Sequence, residues 1–123
     1  MKKLVITILA AAMLTAAAAC APQQSEDTTG IRGEVREITT GKGNTVILVE
    51  GEVSDDTQYD KASVRVDADS KVVRIQDGKE TAAEALDIKL FDVVEVVFEG
   101  PVAESYPVQG KAKLVRILGN NNA

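Results

Sequence analysis

No histidine occurs in the 123-residue chain, which removes the commonest general base and the commonest zinc ligand together. The single cysteine, Cys20, is the only thiol, so Ser–His and Cys–His mechanisms are excluded. Carboxylates remain, but with 19 acidic residues in the chain a pair within reach of one another says nothing about glycoside cleavage. Two stretches open like ligand loops and then fail. "DADSK" from Asp67 begins as a calcium loop does, yet Lys71 stands fifth, Val72 replaces the sixth-position glycine and Gly78 replaces the twelfth-position glutamate. A plain hairpin turn accounts for it. "GKGNT" from Gly41 lacks the rest of a phosphate-binding loop. These residues point to no catalytic site, no metal and no cofactor.

The candidate binding residues collect in "GPVAESYPVQG", Gly100 to Gly110, which holds two of the three prolines and one of the two tyrosines. Pro101 and Pro107 fix φ and remove amide donors, and Pro107 favours an extended Tyr106, so a stiff connection is expected. Two divisions of labour fit it. In one, Tyr106 lays its ring over an open end of the fold and Gln109 ties the loop to nearby backbone. In the other, Glu104 and Ser105 project toward a partner. Tyr59, in "YDKA", is the second tyrosine and a further binding candidate. Lys61, Arg65 and Arg74 form either an anion-binding face or a solvated one, and Asp55 and Asp56 are expected to solvate a loop.

The elements that must carry these residues begin after a leader. In "MKKLVITILAAAMLTAAAAC", Lys2 and Lys3 precede an apolar run from Leu4 to Leu14 and small residues before Cys20, the pattern of a signal peptide over residues 1–19. It is short for a membrane span. The junction looks like a bacterial lipobox, with cleavage before Cys20 and a diacylglycerol on its sulfur, although Ala17 stands where leucine is usual. The alternative is ordinary cleavage that leaves Cys20 as a free thiol. Residues 20–30 then read as a lipidated cysteine and flexible tether, with an r.m.s. reach of ~17 Å for about ten residues. Lys2 and Lys3 leave with the leader, so the mature chain carries 12 basic residues against 19 acidic ones, a net charge of −7. Such a body does not seek nucleic acid, which also needs stacking aromatics over a basic groove.

Residues 31–118 form one small domain, and 119–123 a disordered tail. "IRGEVREI" and "NTVILVEGEV" are two strands joined by Thr39–Gly43; Val46 to Val49 is apolar on both parities, which suits a long strand bending between two packing surfaces, with Gly33 and Gly51 as bulge or coil points. "KASVRVDADSKVVRIQD" is self-consistent as a hairpin turning at Asp67–Ser70, which sets Val64 against Val73 and Ala62 against Ile75. Thr81 followed by Glu84 is a capping-box pattern and predicts a short helix over Ala82–Leu86. "LFDVVEVVFEG" and "KAKLVRIL" are the last strands, with Val94, Val96 and Phe98 inward on the first and Ala112 and Leu114 inward on the second. The parity slip after Leu114 predicts a bulge. This order is that of a mainly β, OB-fold-like Greek-key barrel with one short helix plugging an end.

"ESYPVQGKA", Glu104 to Ala112, and "YDKA", Tyr59 to Ala62, resemble the YobA-like family, a domain of unknown function in small secreted bacterial proteins and lipoproteins. The resemblance implies a compact exported β-barrel and carries over no catalytic or binding residues. The expected function is a membrane-tethered, non-catalytic binding or interaction module of the bacterial envelope, attached through its lipid anchor and recognising an envelope protein or a glycan. The alternative is a structural or assembly accessory without a small ligand.

Overall fold

The computed structural model describes residues 28–120. The leader, Cys20, the tether through Asp27 and residues 121–123 lie outside the described residues. Seven strands follow in order: β1 Ile31–Thr40, β2 Asn44–Glu50, β3 Lys61–Asp67, β4 Lys71–Gln76, β5 Lys79–Ala83, β6 Asp92–Ala103 and β7 Val108–Asn120. One 3-10 turn, Ala85–Asp87, sits between β5 and β6.

Five of the strands close a barrel in the order β3-β2-β1-β6-β7, with β7 returning to β3. The closing pair is parallel, Ala62 to Arg65 against Val108 to Lys111, and the other ladders are antiparallel. That is OB-like topology, and closure leaves few strand edges to solvent. Alternation fills the interior: Ile31 and Val35, Ile47 and Val49, Val64 and Val66, Val94 and Val96, and Val115 and Ile117 are all buried. β7 keeps this register only by bulging. Val97 pairs with Leu114 and Phe98 with Ala112, so Lys113 is extra and the parity shifts there. Ala112, Val115 and Ile117 face the core, whereas Leu114, expected inward, is half-buried.

The expected hairpin of β3 and β4 does not form. Both edges of β3 are taken, by β2 and β7, and β4 instead continues along β7 in the same parallel sense, Lys71 to Arg74 against Leu114 to Ile117. Asp67–Ser70 is a step between them. Ser70 donates its amide to the Asp67 carbonyl at 3.0 Å and its hydroxyl to the Ala112 carbonyl at 2.6 Å, which pins the step to β7. The real hairpin is β4–β5, turned by Asp77 and Gly78 at φ 53° and 77°. Two positive φ values are what a two-residue hairpin turn of the right twist requires.

The predicted helix over Ala82–Leu86 is likewise replaced. Ala82 and Ala83 belong to β5, and the capping box joins Glu84 and Asp87, one turn later than Thr81 and Glu84. Ile88, buried just beyond the 3-10 turn, plugs the barrel end that the helix was expected to fill. The domain bounds also widen. Gly30 is buried, receives Gln58 and Tyr59 amides on its carbonyl and donates to Val96 O, and strand β7 runs through Gly119 to Asn120, so neither belongs to a tether or a disordered tail.

Candidate functional site

β6 and β7 run past the barrel rim as a hairpin. Glu99 still pairs with Lys111 and Ala103 with Gln109, with two extra residues accommodated on β6 at Gly100–Val102. The tip is fastened by its own side chains. Ser105 donates its amide to the Ala103 carbonyl at 2.9 Å and its hydroxyl to the Pro107 carbonyl at 2.8 Å, while Gln109 Nε2 donates to Ser105 Oγ at 3.3 Å. Gln109 thus ties the loop to a side chain and not to backbone as expected. The Tyr106–Pro107 peptide bond is cis.

The two tyrosines divide the labour differently from the expectation. Tyr106 covers no barrel end: it is 69% exposed. Its hydroxyl donates to Asp60 Oδ2 at 3.2 Å, and Lys61 Nζ stands 5.9 Å from the ring centroid, within cation–π range. The phenol pKa is raised, first by partial desolvation and then by the neighbouring Asp60 charge. The ring that packs is Tyr59, edge-on to Phe98 with centroids 5.9 Å apart and planes at 82°. Phe98 in turn lies between Gly30 and Gly110, where a Cβ would come within 2.5 Å and 2.7 Å of its ring. Glu104 is exposed at the tip and has no ion-pair or hydrogen-bond partner among the described residues.

Beside the hairpin, the outer face of β2 and β3 forms a polar groove of about 560 Å³, lined by Ser63, Arg65, Glu99, Gln109 and Lys111 among others. Lys111 Nζ lies 3.5 Å from Glu99, 3.6 Å from Asp67 and 3.4 Å from Asp69. Its pKa is raised. Partial desolvation works against the charge and is outweighed by the Asp69 hydrogen bond and the Asp67 and Glu99 charges. Arg65, which lines the groove, has one long contact, Nε to Asp67 at 3.7 Å. Lys61, Arg65 and Arg74 do not make one cationic face: Lys61 pairs with Glu50, and Arg74 lies on β4. Among the described residues no three His, Cys, Asp or Glu side chains are grouped to hold a metal ion. The groove offers donors and acceptors of both signs.

A second charged cluster was not foreseen. Arg32 on β1 joins Glu95 Oε2 at 2.7 Å and Asp56 Oδ2 at 2.6 Å, and Arg116 joins Glu95 at 3.3 Å. Asp56 therefore does more than solvate its loop, because it ties Gly51–Asp60 to the barrel. The hydrogen bond from Arg32 is the main cause holding its pKa down to about 2, below the ordinary 3.8. A folded value below the unfolded one means the tie contributes above about pH 4 and is lost as pH falls through about 2. In Arg32→Gln the Asp56 carboxyl should titrate near its ordinary value, as read from side-chain carboxyl shifts in an NMR pH series. A titration still near 2 would show that Arg32 is not the cause.

Residues 33–119 match the family described as protein of unknown function (DUF3221). The chain belongs to that family. The match runs from Gly33 in β1 to Gly119 in β7 and so takes in nearly all of the DUF3221 barrel, with the β4–β5 hairpin and the β6–β7 tip. No curated protein and no solved structure matches the chain significantly. No helix among the described residues is long and apolar enough to cross a membrane.

Proposed function

We propose that this chain is a membrane-tethered, non-catalytic binding module of the bacterial envelope, a YobA-like member of its family, that recognises a polar envelope partner through the β6–β7 hairpin tip and the groove beside it. The observation that carries the reading is Tyr106, 69% exposed yet fixed at its hydroxyl by Asp60 and flanked by Lys61. A large amphipathic ring, held rigid and left uncovered, loses little entropy when a partner covers it. Glu104 next to it supplies an unpaired charge. The lipobox-like Cys20 and the short polar segment after it support the tether.

The test is photo-crosslinking in intact cells with the reactive residue at position 106 of the full-length chain, and at exposed Thr81 as the control position. One discrete crosslinked species is expected from position 106 and none from position 81. Glu104→Lys should reduce it about tenfold, as losing a well-placed interfacial charge does, and Cys20→Ser should remove it by releasing the protein from its membrane. Equal crosslinking from both positions would contradict the reading.

A further inference from the structure

Segment Ala85–Phe91 crosses the barrel end that Ile88 plugs; Ala85 packs against the core beside it, and the side chains of Leu86, Leu90 and Phe91 are exposed. Leu86 is 70% exposed, Leu90 45% and Phe91 36%. With Ile38 of β1 they wall a groove of about 690 Å³. Single exposed leucines are ordinary, but three large apolar side chains on one concave wall mark a binding surface. Phe91 holds its place with φ at 72°, a conformation that bulky residues avoid, while its amide donates to the Val35 carbonyl at 2.8 Å.

Of the four polar residues that line it, Thr40, Thr45, Lys89 and Asn120, two bear on what it binds. Thr45 lines the groove at only 5% exposure, and its hydroxyl has no hydrogen-bond partner among the described residues. A buried hydroxyl left unpaired is destabilising unless something outside the chain bonds to it. Thr45 also lines a neighbouring surface cleft of about 390 Å³. The cation is Lys89, which has no carboxylate partner and donates only to the Leu86 carbonyl at 3.2 Å. No acid lines the groove: Asp92 accepts the Lys89 amide and the Asn120 side-chain amide, and Glu84 and Asp87 cap each other's backbone, so none of them pairs with the Lys89 ammonium. Lys89 is the unspent charge of the groove.

An apolar wall of this volume with one buried hydroxyl and one free ammonium is the usual make-up of a small-ligand site. We propose that it binds a single-chain amphiphile with an anionic head, of which a long-chain carboxylate is the simplest. The tail lies on Ile38, Leu86, Leu90 and Phe91. The carboxylate accepts a hydrogen bond from Thr45 and pairs with Lys89. A single molecule is favoured over a bilayer surface because the groove lies at the end of the barrel opposite Thr28, where the described chain begins. This site is separate from the hairpin and does not depend on its role.

The test titrates dodecanoate, below its micelle concentration, into full-length chain carrying Cys20→Ser, so that no acyl chain of its own competes. Calorimetry should show one-to-one binding. Thr45→Val, which removes the unpaired hydroxyl at constant shape, and Lys89→Ala should each raise Kd about tenfold. Dodecanol should bind about tenfold more weakly than dodecanoate to the parent chain and equally well to Lys89→Ala. The proposal is overturned by an absence of binding, or by multi-equivalent binding indifferent to both substitutions. It is also overturned if dodecanoate fails to bind while phosphatidylcholine vesicles capture the protein through Leu86, which would make the groove a bilayer-docking face.

Discussion

Gly33→Ala destabilises the domain by roughly 3 kcal/mol or more, as overpacking against a fixed neighbour does, whereas Gly119→Ala stays within ~0.5 kcal/mol. The contrast follows from what a methyl group would meet. A Cβ on Gly33 would stand 2.1 Å from the Glu50 carbonyl oxygen, and one on Gly51 would stand 2.0 Å from the Arg32 carbonyl oxygen. Both obstacles are backbone in the β1–β2 ladder, so no side-chain rotation relieves them. The two glycines face each other one residue beyond the Glu34–Glu50 pair and let β1 and β2 cross closely just before β1 bulges at Arg36. At Gly119 nothing lies within 4 Å of the added carbon. Urea denaturation of the two variants checks the difference, and a Gly33→Ala midpoint equal to that of the parent would mean that the strands do not approach as described.

Alternation made the barrel legible because parity is a local property. Val94 and Val96 on β6 point inward because every second side chain must, whereas Val46–Val49 on β2 is apolar on both parities, and that Ile47 and Val49 are the buried pair is visible only in the fold. Pairing was not legible to the same degree. The register in which Val64 opposes Val73 satisfies the pattern of residues 61–76, but that pattern is equally satisfied when both strands lie end to end along β7. Only the occupied edges of β3 decide, and those belong to residues far away in sequence. The missed β4–β5 turn is different. Asp77-Gly78 is a strong hairpin signal, outweighed by the alanines and the capping-box spacing that follow. Those alanines sit in a strand because pairing with β4 outweighs their modest helix propensity.

For the candidate site, the sequence located the hairpin and its residues but not their exposure. Tyr59 and Tyr106 are both flanked by polar residues, and nothing local tells which ring finds a partner. Phe98, almost forty residues from Tyr59, settles it for one of them. The apolar groove was invisible for a related reason. Leu86 falls at the end of the expected helix and Leu90 and Phe91 at the start of the expected strand, and neither element foretells the 3-10 turn and the left-handed Phe91 beside which all three lie exposed.

The central claim is that the hairpin tip is a recognition surface borne by a barrel that does not need it for stability. Tyr59→Ala and Tyr106→Ala, unfolded side by side in urea, test it most directly. Tyr59 packs against Phe98 and the core cluster, so its loss should cost about 2 kcal/mol in buried area and edge-on ring contact. Tyr106 has one exposed hydrogen bond and a lysine near its ring, so its loss should cost no more than ~0.5 kcal/mol. If Tyr106→Ala proves the damaging substitution and Tyr59→Ala the neutral one, the tip is part of the folded core and the account of it as a binding surface fails.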